Sequence, residues 1–129
     1  MYDKEPTPCQ IRTVLPSTRA RMIFDSSLSA LPSGTRGTER DRHLLFFAPG
    51  LDLHVKITEE NRHNEVYGQV IPHEPAEESS TIMLGREGDP KDMRKPDAFG
   101  EFSFNNVPGG DVALEIILPS RRIVATFDV

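Results

Sequence analysis

Between residues 97 and 118 two alternating apolar runs flank Pro108-Gly109-Gly110. Phe102 and Phe104 alternate with Ser103 and Asn105, and Val112, Leu114, Ile116 and Leu118 recur at every second position. Successive side chains of a strand point to opposite faces, so this pattern predicts two half-buried strands. Pro108 has no amide hydrogen for a ladder and the two glycines accept positive φ, so the break falls between the runs. The pair reads as a hairpin or tight corner, with its phenylalanines in the core and Asn105-Asn106 serving the turn.

The rest of the chain repeats the signal. His43-Leu-Leu-Phe-Phe-Ala48 holds four consecutive large apolar residues and predicts a short strand that is buried on both faces or lies in a sheet interior. After Pro49-Gly50, Leu51, Leu53, Val55 and Ile57 share one face, with Asp52, His54, Lys56 and Thr58 on the other. Strands are also expected around Glu65–Pro72, with Gly68 marking a bulge or a close approach, around residues 80–87, and over residues 121–129. Polar stretches at 59–65, 73–80 and 88–97 read as charged loops. No helix of useful length and no internal repeat is expected. Eleven prolines, nine glycines and 36% hydrophobic residues agree with an all-β chain rich in turns.

The N-terminal third is weakly patterned. Residues 1–18 carry Pro6, Pro8 and Pro16 among few apolar residues and predict a mobile or loosely docked arm. Arg21-Met-Ile-Phe-Asp25 reads as a short strand; a helix capped by Ser17 or Thr18 competes with it. Residues 30–42 read as a long exposed loop. The expected division is therefore an arm over 1–18, an edge strand with a long loop over 19–42, and a β-sandwich over 43–129. A strand on so long a loop suits exchange between copies of the chain.

Charge and cysteine content narrow the function classes. Residues 1–43 hold seven Lys/Arg against five Asp/Glu, and residues 44–129 hold eight against fifteen. An acidic body repels phosphate backbones and anionic lipid, so neither nucleic acid nor a membrane surface is expected as a partner. Cys9, the single cysteine, excludes an internal disulfide framework and a cysteine-rich zinc site. Met1–Gln10 lacks the basic start and apolar stretch of a signal peptide, and no segment has the apolar length of a membrane span. A cytoplasmic protein is the default expectation, with a secreted or periplasmic one left open.

Tyr67-Gly-Gln-Val70, Ile82-Met-Leu-Gly-Arg-Glu87, Asp97-Ala-Phe-Gly-Glu-Phe-Ser-Phe-Asn-Asn-Val-Pro-Gly-Gly110 and Val112-Ala-Leu-Glu-Ile116 together resemble the carboxypeptidase regulatory-like domain. The resemblance covers residues 64–129, and 97–110 is its most specific part. It implies a transthyretin-like (prealbumin-like) fold: an antiparallel Greek-key sandwich of seven to eight strands, here with a mobile N-terminal arm. The chain from His43 is also similar to small stand-alone bacterial proteins of this class, some encoded near sigma-factor or other regulatory genes. Such domains are mostly accessory modules, and fold does not fix function. A related transthyretin-like fold hydrolyses 5-hydroxyisourate with a C-terminal Tyr-Arg-Gly-Ser, whereas this chain ends Thr126-Phe-Asp-Val129.

Chemistry-bearing patterns are sparse. His43, His54, His63 and His73 occur singly, and Asp89, Asp92 and Asp97 are interrupted by Lys91, Arg94 and Lys95 without the oxygen-rich spacing of a calcium loop. No serine lies in Gly-x-Ser-x-Gly, and Leu15-Pro-Ser-Thr-Arg19 and Leu31-Pro-Ser-Gly-Thr35 are incomplete sortase signals that read as turns. With no tryptophan and two tyrosines, an aromatic sugar platform is not expected. No metal, cofactor or catalytic residue is therefore assigned. The expectation is a non-catalytic interaction or assembly module, working through edge-strand pairing at Met22, Ile23 and Phe24 and through acidic contacts at Glu77, Glu78, Asp89 and Asp92. Its partner is a protein or a second copy of the chain. A small-molecule or carbohydrate-binding module and a hydrolase with an unrecognised site are the alternatives.

Overall fold

The computed structural model describes residues 16–28, 41–74 and 80–129. Ten strands account for most of them. They are β1 (Ser17–Arg19), β2 (Arg21–Asp25), β3 (Arg42–Ala48), β4 (Leu51–Glu60), β5 (His63–Pro72), β6 (Thr81–Arg86), β7 (Asp89–Arg94), β8 (Glu101–Val107), β9 (Asp111–Ile117) and β10 (Arg122–Asp128). A 3-10 turn over Ser26–Leu28 follows β2. The chain is all-β, in two five-stranded sheets ordered β1-β10-β9-β6-β7 and β2-β3-β4-β5-β8.

The apolar faces of the two sheets share one sandwich-like core. Leu44, Phe46, Leu53, Val55, Val66 and Phe104 enter it from one sheet, and Ile82, Leu84, Leu114, Ile116, Ile123 and Phe127 from the other. Phe46 and Phe127 meet with ring centroids 6.0 Å apart. Each such side chain contributes roughly 1.5–3 kcal/mol of burial, so the alternation read from the sequence is the main force holding the layers together.

Several expectations are corrected. The described residues form ten strands rather than seven to eight, because β1 and β7 carry no apolar alternation. Thr18 and its neighbours, placed in the arm, form β1 and pair with Arg122–Val124 of β10 in parallel, so the sheets are not purely antiparallel. Residues 89–94, read as loop, form the edge strand β7. Pro90 and the charged side chains suit an edge, where one row of amides needs no partner. Of the two expectations for β3, the strand does lie inside its sheet but is not buried on both faces: Leu44, Phe46 and Ala48 are buried, while Leu45 is half-buried and Phe47 exposed on the outer face.

The stretch 97–118 is a corner. β8 lies at the edge of one sheet and β9 inside the other, and Pro108-Gly-Gly110 carries the chain between them. Asn105 and Asn106 do not serve that turn. They bulge β8 opposite Glu65, with Asn106 at φ 54° and Asn64 Nδ2 donating to Val107 O at 3.2 Å. Upstream, Asp97 Oδ1 accepts the amides of Phe99 and Glu101, each at 2.9 Å, and Gly100 closes the turn at φ 80°. Gly68 marks a close approach: a Cβ there would overlap the buried Phe102 ring. The polar stretch 59–65 is mostly strand, turned by Asn61-Arg62 alone, both at positive φ.

Candidate functional site

The predicted interaction residues Met22, Ile23 and Phe24 lie on β2, the edge strand beside β3. Met22 pairs with Phe46 and Phe24 with Leu45, so Ile23 is the extra residue of a bulge. All three are exposed, at 37%, 54% and 42%, with Met22 on the face of Phe46 and Phe24 on the face of Leu45. Leu28 and Phe47 stand exposed close by, on the 3-10 turn and on β3. Among the described residues no strand pairs with the other edge of β2.

A polar lock holds this edge in place. Asp25, 8% exposed, accepts Arg42 Nε at Oδ1 (3.1 Å) and Arg42 Nη2 at Oδ2 (2.8 Å). Its Oδ1 also accepts the Ser27 amide and hydroxyl at 2.9 and 2.8 Å. The hydrogen bonds from Arg42, with smaller help from Ser27, hold the Asp25 carboxyl well below the usual carboxylate range against the opposing effect of burial. Arg42 reaches onward to Asp128, donating from Nη1 to the backbone carbonyl at 2.7 Å and from Nη2 to Oδ1 at 3.1 Å. β2, β3 and β10 are thereby tied across the two sheets.

The acidic candidates do not join this edge. Asp89 and Asp92 are exposed on β7, at the opposite end of its sheet from β1 and in a different sheet from β2. Glu77 and Glu78 lie outside the described residues.

A second arrangement escaped the sequence reading, which took the histidines one at a time. The Pro49-Gly50 turn sets the β3–β4 register so that His43 faces Lys56 and Leu45 faces His54. β5 and β8 extend the rows to Tyr67 and Ser103, and to Gln69 and Glu101. All of these lie on the outer face of the sheet and line an open depression of about 560 Å³. Lys56 Nζ sits 5.2 Å from the Tyr67 ring centroid. His73 lies farther along the same sheet, 3.1 Å from Asp52 and stacked at 5.9 Å on Phe47. The signal was present in the sequence as polar positions alternating across a tight turn, and it needed the register to be read.

On the outer face of the other sheet, Glu115 is buried at 3% exposure between Val124 and Met83. Arg122 Nη1 approaches its Oε1 to 3.6 Å, yet neither Glu115 Oε1 nor Arg122 Nε has a hydrogen-bond partner. Among the described residues no three His, Cys, Asp or Glu side chains converge as a metal site, and no helix is long and apolar enough to cross a membrane. A scan against protein-family models, a search of curated proteins and a search of solved structures found no match.

Proposed function

We propose that this domain is a non-catalytic interaction and assembly module that docks through the free edge of β2, with a second copy of the chain as its first partner. One observation carries the reading. Of the eight large apolar side chains exposed among the described residues, five (Met22, Ile23, Phe24, Leu28 and Phe47) gather on β2, the turn after it and β3. Exposed apolar side chains gathered beside an unpaired strand edge are what strand addition uses, since the backbone supplies hydrogen bonds and the side chains supply burial.

The finer fold reading belongs to the same proposal. A transthyretin-like Greek-key sandwich of the carboxypeptidase regulatory-like kind is supported by the residues of 97–110, where Phe102 and Phe104 fill the core and Gly100 sits in its turn. A second fold reading is favoured by the strand order. β4-β5-β8 facing β7-β6-β9-β10 has the A-B-E and C′-C-F-G sequence of immunoglobulin-type sandwiches.

Light scattering on the full chain tests the function. Association that grows with concentration is expected, and Ile23→Lys should shift the mass to the monomer without moving the unfolding midpoint measured at a dilution where both proteins are monomeric. A wild-type chain that stays monomeric at every concentration sinks self-association through β2.

A further inference from the structure

We propose that the outer face of β3, β4 and β5 is a binding site for a small organic anion, with the oxyanion held by His43, His54 and Lys56 and the apolar body resting on Leu45. Its donors lie on β3 and β4, and only its apolar side adjoins the β2 edge, at Phe24.

Three donors converge there. His43 and Lys56 are direct cross-strand partners, and His54 lies two residues from Lys56 along β4 on the same face. Strand geometry places such positions about 5 to 8 Å apart, within reach of one carboxylate or phosphate group. Among the described residues neither imidazole side chain makes a hydrogen bond or ion pair, and Lys56 has only the Tyr67 ring. The Tyr67 hydroxyl adds a fourth donor beside them.

Two carboxylates, Asp97 and Glu101, line the same depression, but among the described residues neither pairs with the three donors. Asp52 is engaged by His73, and Asp97 spends Oδ1 on two backbone amides. Glu101 is two strands from His54 in its row, and Glu65 lies two positions from Tyr67 along β5. Residues 44–129 hold fifteen acidic against eight basic side chains. Lys56 supplies a positive charge on such a body and the two imidazoles add N–H donors beside it, which sets the cluster apart from its surroundings.

The ligand is small and partly apolar. A depression of about 560 Å³ falls in the range that small-molecule sites occupy. Leu45 is half-buried directly opposite His54, with Phe24 opposite it on β2, so apolar surface adjoins the donors on one side. An inorganic ion would leave that surface unused, whereas an aromatic or branched carboxylate covers it.

NMR titration of the full chain, following backbone amides and histidine rings, tests this with benzoate, benzyl alcohol and inorganic phosphate. Benzoate should give saturable shifts centred on His43, His54, Lys56 and Tyr67, and its affinity should fall as salt rises. Lys56→Gln and His54→Gln should each weaken it about tenfold, as expected for loss of one charge-assisted hydrogen bond. Lys56→Arg should restore it, which separates lost charge from a damaged fold. Benzyl alcohol producing the same shifts would remove the anion from the proposal, and phosphate binding as tightly as benzoate would remove the apolar body. Unchanged benzoate affinity in Lys56→Gln overturns the site altogether. None of these variants touches β2, so the mass of the assembly reports separately on the docking edge.

Discussion

Arg42 grips both carboxylate oxygens of Asp25, at 3.1 and 2.8 Å, while the same guanidinium reaches Asp128 at the end of β10. A forked pair of this kind aligns two strands that little else fixes, because four of the five residues of β2 are exposed. Removing Arg42 would leave a buried carboxylate without its cation. Arg42→Ala should therefore cost about 3 kcal/mol in urea unfolding. Asp25→Asn, which keeps the shape and loses the charge, should cost less. A loss below about 0.5 kcal/mol for Arg42→Ala would show that the pair is no more than a surface contact.

The same pair makes the fold sensitive to acid. The Asp25 carboxyl is depressed in the folded chain, chiefly by its hydrogen bonds from Arg42. Its contribution is therefore complete above the unfolded value of about 3.9 and is lost as pH falls through the folded value. Arg42 keeps its proton throughout and adds no slope in this range. Stability measured from pH 6 down to pH 2 should fall in the wild type, and Asp25→Asn should flatten part of that fall. Parallel curves for the two proteins would remove Asp25 from the acid response.

Gly68 faces the Phe102 ring so closely that a methyl group cannot enter without moving the ring. Phe102 is 7% exposed and packs edge-on against Phe104 at 5.9 Å, so it has little room to yield. Gly68→Ala should destabilise by about 1–3 kcal/mol, the usual cost of overpacking. The double variant Gly68→Ala with Phe102→Leu should recover part of the loss. Full additivity of the two losses would refute the steric account.

These particulars show what was legible beforehand. Leu51, Leu53, Val55 and Ile57 are buried as their alternation predicts, and Phe102 and Phe104 likewise, because burial of one sheet face leaves a period of two. β7 was not legible: an edge strand with nearly every side chain in water has no such period, and Asp89-Pro-Lys-Asp-Met-Arg94 is chemically a loop. Asn106 was misplaced because a residue at positive φ marks a bulge as readily as a turn. Met22, Ile23 and Phe24 were noticed for their composition, but the bulge at Ile23 depends on pairing with β3. The His43–Lys56–His54 cluster depends on register in the same way. Single residues carry no register, so the site stayed hidden while the strands that build it were plain.

Arg62 is the second residue of the Asn61-Arg62 turn and sits at φ 68°. Asparagine tolerates the left-handed region, whereas arginine pays about 1 kcal/mol or more for it, and a two-residue hairpin of this type favours glycine in the second place. Arg62→Gly should raise stability by roughly 0.5–1 kcal/mol, the relief being offset in part by the greater freedom of glycine in the unfolded chain. A lower urea midpoint for the variant would mean that the Arg62 side chain contributes more than its backbone costs.

Glu115 presents the opposite situation, a charge taken out of water for little return. It is 3% exposed in the central strand β9, its one cationic neighbour among the described residues stands at 3.6 Å, and its Oε1 accepts no hydrogen bond there. Desolvation of a carboxylate is offset only by close, well-directed partners, and a well-packed apolar side chain of similar volume is often the more stable choice. Methionine matches the length and flexibility of glutamate and would lie between Val124 and Met83. Arg122, about a fifth exposed, can turn its guanidinium to water once the partner is gone. Glu115→Met should therefore stabilise the chain by about 1 kcal/mol, while Glu115→Ala, which leaves a cavity instead, should not. A loss of stability in Glu115→Met as large as that in Glu115→Ala would show that the Glu115–Arg122 pair is favourable as it stands.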